Sequence, residues 1–575
     1  MTKFVFVSGG VISGVGKGII TASLGRLLNE YGYNVTLIKA DPYINYDAGT
    51  LRPTEHGEVW VTDDGGEIDQ DLGTYERFLN CDIPKQNNMT SGQIYKTVID
   101  RERAGGYLGK TVQFVPHIPD EIIARIKQAA TGYDIAIIEI GGSVGDHENV
   151  PFLFASKRLE RELSPGDVAH VLVTYLPIPK HLGEMKTRPT RRAINLLRQE
   201  GIFPDLIICR AEIELDDVRK KKIDDMVHIT SENIISAPNL KTVYDVPLYL
   251  HSEKVGKKII KRLKLKEGRV PDLSSWWQRV EGIKKPKTKM KVAVCGKYFE
   301  IGDYKIADSY LSVREALVHA GAELDVGVEF AWINTREMER GGEKLKGLDQ
   351  FDGIIVPGGF GSMGVEGKIN VIGHARKNKI PYLGLCYGMQ LACIEYARNV
   401  CGLREANTTE INETTKTPIV DLLPEQKGLT ERAGYGGTMR LGGYPAILNT
   451  GSKVLELYKE TGRLREDSNA IARLSQDENG RFSSQMRSVV KKGAYVVVER
   501  HRHRYEINPE FVPKLEEAGL FFSGFHIRED ETILMEFIEL LDHPFFVATQ
   551  SHPEFKSRLG NPAPLFYGFL RACLE

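Results

Sequence analysis

The chain has 575 residues, 41% of them hydrophobic and 27% charged, and its 76 basic residues balance 77 acidic ones. That length exceeds one core, so two or more domains are expected, and the even charge argues against a general nucleic-acid binder. No apolar run approaches membrane-spanning length and no signal-peptide pattern opens the chain, so a cytoplasmic protein is expected. Seven cysteines without a C-x-x-C pair read as thiols of a reducing compartment.

From residue 1 to about 266, the runs FVFVSG, NVTLIKAD, DIAIIEIGG, HVLVTYLP and DLIICRA alternate with helical patterns. Parallel strands joined by helices, a doubly wound α/β domain, are expected. Residues 8–18, SGGVISGVGKG, follow the first run. They depart twice from the P-loop pattern G-x-x-x-x-G-K-[ST]. Gly10 lies one residue too early, and Gly18 stands where a metal-binding hydroxyl belongs. Glycines 9, 10, 14, 16 and 18 still allow a turn with inward N–H groups, and Lys17 can reach a β/γ-phosphate. The metal ligand can then come from a neighbouring strand end. Glu139 ends the run Ile135–Ile138, and Lys39 ends Val35–Ile38. Asp71 lies in EIDQDLG, where Glu67, Asp69 and Asp71 would share one face if extended.

Residues 267–289, rich in Pro and Lys, read as a linker whose Trp276-Trp277 packs against a domain. A second alternation (KVAVCGKY, a helix from about Asp308 to Ala320, GIIVPGG, YLGLCYG, FVATQSHPE) predicts another α/β domain over 290–575. Inside it, about 461–493 is polar with little periodicity and reads as an exposed or disordered insertion. Gly384-Leu385-Cys386-Tyr387-Gly388 is a nucleophile elbow with Cys in place of Ser, opening a helix that favours the thiolate. His552 supplies a base, with Glu554 to orient it, and the glycine turn Val356–Gly361 suits an oxyanion hole. Cys393, inside the helix, reads as core.

The C-terminal half resembles the triad-type (class I) glutamine amidotransferases, through PGGFG, GLCYGMQ and SHPEF. The N-terminal half resembles the synthetase domain of the CTP synthase family. SGGVISGVGKG, KADPYINYDAGT, HGEVWVTDDGGEIDQDLGTYERF, EIGGSVGD and GEMKTRPTR carry that resemblance, and VERHRHRYE at 498–506 adds to it. The resemblance covers nearly the whole chain. It implies phosphorylation of the uracil O4 of UTP by ATP with Mg2+, then displacement of that phosphate by ammonia from glutamine through an internal passage. It also implies GTP activation, CTP inhibition at the UTP site, and a homo-oligomer, a tetramer, with filaments in some members. Neither a nucleic-acid polymer nor a membrane is implied as a partner.

By motif, the resemblance implies ATP contacts at Ser13, Gly14, Val15, Gly16, Lys17, Gly18, Ile19 and Asp71, with magnesium on Asp71 and Glu139. Lys39 would stabilise charge during phosphoryl transfer. UTP and CTP would meet Ser13, Asp146, His147, Glu148, Lys186, Thr187, Arg188, Pro189, Thr190, Arg191 and Lys222. Glutamine would meet Gly359, Phe360, Gln390, Glu410 and Arg504, beside the triad Cys386, His552 and Glu554. The chain departs from common family residues at Arg188, Arg191, Met226 and Met363, the last bearing on the GTP contact. Two rival readings are a P-loop amide synthase of the cobyrinic acid diamide kind and a filament-building protein without turnover. GEMKTRPTR, suited to a triphosphate, favours UTP over the first; the intact Lys17, Lys39, Glu139, Cys386 and His552 argue against the second.

Overall fold

The first apolar run forms β1 (Lys3–Gly9), the middle strand of a seven-stranded sheet. Its other strands are β2 (Val35–Asp41), β3 (Asn88–Thr90), β4 (Ile135–Ile140), β5 (Val168–Tyr175), β6 (Leu206–Ala211) and β7 (Ile234–Pro238). They lie in the order β3-β2-β4-β1-β5-β6-β7, every pair parallel. All residues of β2 and β4 are buried, as a parallel sheet covered on both faces requires. The chain winds to one side of β1 through β2–β4 and to the other through β5–β7. The crevice beyond the carboxyl end of β1 is therefore the switch point where ligands gather. The computed structural model describes residues 1–51, 57–227, 229–296, 300–301, 304–305, 310–422, 439–474 and 493–575.

This sheet belongs to a unit made of Met1–Ala48 and Gln70–Val280; the second unit comprises Gly49–Asp69 and Glu281–Glu575. The expected first domain, 1–266, thus differs from the unit at residues 49–69, and the expected linker, 267–289, is not a bare connection. Helix α4 (Ser274–Lys284) buries Trp276, whose indole N–H donates to the Tyr244 carbonyl at 2.7 Å, whereas Trp277 is exposed.

In the second unit, β8 (Thr288–Gly296), β9 (Val326–Asn334), β10 (Gly353–Val356) and β11 (Tyr382–Leu385) are joined by β12 (Arg440–Leu448), β13 (Tyr495–His503), β14 (Phe521–Ile527), β15 (Ile533–Glu539) and β16 (Phe546–Thr549). The order is β9-β8-β10-β11-β16-β15-β14-β12-β13. Pairing is parallel from β9 to β16 and antiparallel beyond. Alternation divides the side chains: Ile354 and Val356 enter one core, while Ile355 and Leu383 enter the other.

The segment 57–69 forms a short hairpin, Trp60–Val61 against Glu67–Ile68. Trp60 is 1% exposed, its ring 5.0 Å from that of Phe555 and under the Arg500 guanidinium. Asp63 pairs with Arg500, and Glu67 with Arg502 at 2.8 Å. These partners lie more than 400 residues away in sequence, so local composition carries no sign of them. The expected shared face of Glu67, Asp69 and Asp71 is corrected too. The extended stretch ends at Ile68, and Asp71 opens helix α2 (Asp71–Leu79) in the first unit.

The expected exposed insertion at 461–493 begins instead with helix α6 (Arg463–Leu474), in which Arg463 and Asp467 are buried and paired at 2.9 Å. Asp467 also accepts from the Val498 N–H of β13 at 3.0 Å, which ties the helix to the sheet. Residues 475–492 of that expectation lie outside the described residues.

Candidate functional site

At the end of β1 the chain turns through residues 10–16 into helix α1 (Lys17–Glu30). Gly16 caps the helix at φ 95°, a conformation glycine adopts freely, and no side chain caps the helix N-terminus. The uncapped N–H groups and the helix dipole favour an anion there. Lys17 folds back so that its ammonium donates to the Gly142 carbonyl at 2.7 Å.

The residue after Lys17 explains the missing hydroxyl. A Cβ added to Gly18 would lie 2.6 Å from Asp71 Oδ1 and 3.7 Å from Glu139 Oε2. The Asp71 carboxylate thus occupies the space that a serine or threonine side chain would need. Around it, Lys39 pairs with Asp71 and lies 3.4 Å from Asp41 and 3.6 Å from Glu139, whose other oxygen accepts from the Tyr75 hydroxyl. Burial raises the Glu139 carboxyl above its ordinary range, with Lys39 opposing. Burial also lowers Lys17, with Glu139 opposing. Two ammoniums, Lys17 and Lys39, thus face three carboxylates, Asp41, Asp71 and Glu139. Among the described residues no group of three or more His, Cys, Asp or Glu side chains is arranged to hold a metal. Two carboxylates beside the glycine turn would suit magnesium, an oxygen-seeking cation that a protein commonly holds through one or two carboxylates.

A cavity of about 890 Å3 opens beside the loop, lined among others by Ser13, Asp146, Lys186 and Arg188. Asp146 accepts from the Ser143 N–H at 2.7 Å, and Arg188 starts helix α3 (Arg188–Gln199). Three basic side chains, Lys186, Arg188 and Arg192, give this cavity an anion-attracting wall.

In the second unit Cys386 sits between β11 and helix α5 (Tyr387–Asn399) at φ 49° and ψ −100°, the strained turn of a nucleophile elbow. A Cβ on Gly388 would come within 2.2 Å of the Val356 carbonyl oxygen, so that position requires glycine. His552 Nδ1 donates to Glu554 Oε1 at 2.8 Å, with Glu554 in a short helical turn rather than the extended segment expected. Burial by itself would lower the His552 imidazole; Glu554 and the Cys386 sulfur outweigh it and raise it to about 10. That favours an imidazolium beside the Cys386 sulfur. A cavity of about 100 Å3 joins Cys386, His552, Gly358, Gly359 and Phe360. Cys393 is fully buried, and its thiol is pushed up by burial, as expected of core.

Comparison with known proteins decides the family. The family described as CTP synthase N-terminus matches residues 3–265, and that described as glutamine amidotransferase class-I matches 305–572. The CTP synthase of Pyrococcus abyssi is 47% identical over 100% of this chain and 98% of its own length. The chain belongs to the CTP synthase family. Other CTP synthases behave alike: that of Methanocaldococcus jannaschii is 47% identical, covering 100% of this chain and 98% of the relative, and that of Methanococcus maripaludis 44%, covering 100% of both. A solved Trypanosoma brucei CTPS glutaminase domain with bound acivicin is 31% identical, covers 50% of this chain and 94% of that one, and has a TM-score of 0.40.

The residues expected from the CTP synthase family fall unevenly on this geometry. Ser13, Asp146, Lys186, Arg188 and Pro189 line the larger cavity, and His147 and Glu148 begin an exposed turn beside Asp146. Thr187 and Thr190 are buried, and Thr190 bonds to Thr174 at 3.1 Å. Arg191 lies on α3, while Lys222 is exposed on a separate helix, Asp217–Val227, and does not line the cavity. The Met226 side chain lies outside the described residues. Gly359 and Phe360 line the cysteine cavity, Met363 is exposed nearby in sequence, and Glu410 accepts from the Gly361 N–H at 2.6 Å. Arg504 is half-buried and Gln390 buried; neither lines that cavity.

Sequence reasoning missed several residues. Arg192, one step beyond GEMKTRPTR's basic run, lines the larger cavity, and Arg210 Nε lies 3.5 Å from a Cβ built on Gly16. Glu58, Val59 and Arg502 line the cysteine cavity, a consequence of hairpin packing that no local pattern signals. Gln550 touches the Cys386 sulfur, and its place two residues before His552 was the available signal.

Proposed function

We propose that the chain makes CTP from UTP, using ATP to activate the uracil and glutamine as the nitrogen source. The observation that carries the reading is the Asp71 carboxylate standing where a P-loop hydroxyl would go, with Glu139 and Lys39 beside it. Ser13–Ile19, with Lys17 and the α1 N-terminus, hold the ATP phosphates. Asp71 and Glu139 would hold magnesium, which when bound neutralises phosphate charge and aligns the oxygens. Lys39 steadies the charge that develops as the phosphoryl group moves.

The uracil O4 attacks the γ-phosphorus, the bond to ADP breaks, and O4 becomes part of a leaving group. Ammonia then adds at C4, phosphate departs with O4, and the nitrogen loses a proton. Without that activation a carbonyl oxygen is too poor a leaving group. UTP occupies the cavity beside the loop, its triphosphate against Lys186, Arg188 and neighbours, with Thr187, Pro189, Thr190, Arg191 and Lys222 as further family-implied contacts.

In the second unit the Cys386 thiolate attacks the glutamine carboxamide, His552 gives a proton to the departing ammonia, and water releases glutamate from the thioester. Gly359 and Phe360 form the oxyanion side; Gln390, Glu410 and Arg504 are the proposed glutamine contacts. We also propose GTP as activator, CTP as inhibitor at the UTP site, and assembly as a tetramer. UTP carrying 18O at O4 tests the activation step. Release of 18O-phosphate is expected; CTP formed with unlabelled phosphate and the 18O lost to water, or no CTP, would refute it.

A further inference from the structure

Among the described residues, two polar side chains meet the Cys386 sulfur. One is His552; the other is Gln550, fully buried, whose carboxamide nitrogen lies 3.7 Å from Sγ. Which end of the Gln550 amide faces sulfur follows from its neighbours. Gln390 Nε2 lies 2.9 Å from the Tyr505 carbonyl oxygen, which only accepts, so Gln390 must present its NH2 there. The same NH2 lies 3.3 Å from Gln550 Oε1. With its oxygen so engaged, Gln550 has its NH2 end towards Sγ. Turned the other way, it would set NH2 against NH2 and oxygen against the sulfur lone pairs.

We propose that Gln550 is a further catalytic residue of the glutaminase site, donating a hydrogen bond to the Cys386 thiolate, with Gln390 as the positioning residue that fixes its orientation. A donor aimed at sulfur favours the thiolate over the thiol and holds it for attack, because a hydrogen bond to a charged acceptor outweighs one to a neutral one. The attack forms the S–C bond and breaks C–N, with the proton for ammonia coming from His552. As negative charge leaves sulfur, the Gln550 bond weakens, so its effect falls on formation of the nucleophile. The backbone is built around the contact as well: Gln550 N–H donates to the Glu536 carbonyl at 2.9 Å, and Cys386 N–H to that of Thr549 at 2.7 Å. β16 thus presents Gln550 at the elbow itself. Gln390, assigned above as a glutamine contact, has its donor turned inward on this relay.

The inference rests on the glutaminase reading, and its test keeps the two apart. Full-length Gln550→Leu, Gln550→Glu and Gln390→Leu are compared with the unaltered chain in three assays. These are iodoacetamide alkylation of Cys386 against pH, glutamine hydrolysis, and CTP synthesis from added ammonia. Gln550→Leu should slow alkylation about tenfold near neutral pH and move its profile to higher pH. It should lower kcat for glutamine by a similar factor, with KM changed less than about threefold. Gln550→Glu, which sets a carboxylate against the sulfur, should lose more. Gln390→Leu, which frees Gln550 to turn, should slow alkylation about threefold. Ammonia-dependent synthesis within about twofold of the unaltered chain marks an intact fold; if a Gln550 variant misfolds, Gln390→Leu decides. An unmoved alkylation profile, or a change in KM alone, would overturn the proposal. If the unaltered chain fails to hydrolyse glutamine while Gln550→Leu still slows alkylation, the glutaminase reading fails and the sulfur contact stands.

Discussion

Gly18→Ser would give the phosphate loop the Gly-Lys-Ser ending of a standard P-loop, yet it should inactivate synthesis. The Cβ of the new side chain would stand 2.6 Å from Asp71 Oδ1, where ordinary contact begins near 3.4 Å. Asp71 must therefore retreat by the difference, roughly 0.8 Å, before the serine oxygen is even placed. That carboxylate is held by Lys39 and is one of the two proposed to hold magnesium, so its displacement would disturb both at once. A misplacement approaching 1 Å in a positioned group costs about 100-fold in rate. Ammonia-dependent conversion of UTP, followed by absorbance at saturating ATP, should fall by at least that factor, while Cys386 alkylation is unchanged. Activity within about twofold of the unaltered chain would refute the reasoning, because the serine would then be doing what hydroxyls do in ordinary P-loops. Gly18→Ala separates the causes: it carries the clash without the hydroxyl and should be equally inactive.

Other perturbations read other parts of the molecule. Cys386→Ala should abolish glutamine-dependent synthesis, leaving synthesis from added ammonia near normal in the same absorbance assay; loss of both without unfolding would contradict separate sites. Lys17→Ala should block both by about 100-fold or more, since ATP phosphates lose their ammonium. Trp60→Ala should cost about 3–5 kcal/mol in denaturant unfolding of the second unit, because it empties a fully enclosed site against Phe555 and Arg500. Acid should destabilise that unit through His526, which burial depresses to about 3, and through His501 and His503, also depressed by burial. Depressed folded values mean stability present above the ordinary histidine range and lost as pH falls from about 6.5 towards 3. At pH 5, His526 alone should cost about 2 kcal/mol, and His526→Phe should flatten the profile of unfolding free energy against pH.

Features written in adjacent residues were legible before the fold was known. Strand β1 and its glycine turn, and the elbow at Cys386 with His552 and Glu554, depend on local periodicity and on glycines whose neighbours allow no Cβ. Other features depend on partners remote in sequence and were not legible. The hairpin at 57–69 is fixed by Arg500, Arg502 and Phe555, and the buried Asp467 accepts from the Val498 N–H of β13 while pairing with Arg463. The antiparallel extension of the second sheet has the same origin, since alternating runs show a strand but not its neighbour's direction. Asp71 was picked out by its acidic surroundings but for a mistaken reason. It reaches Gly18 from the first turn of α2, not from a strand face.

The central claim, one chain that moves the glutamine amide nitrogen onto the uracil ring at the expense of ATP, is tested most directly by isotope transfer. The full-length protein is incubated with UTP, ATP, magnesium and amide-15N glutamine, and the product is read by mass spectrometry. The account predicts CTP carrying 15N on its exocyclic amine, one ADP and one phosphate for each CTP formed. Failure to form CTP, or CTP without the label when glutamine is the sole nitrogen source, would contradict it.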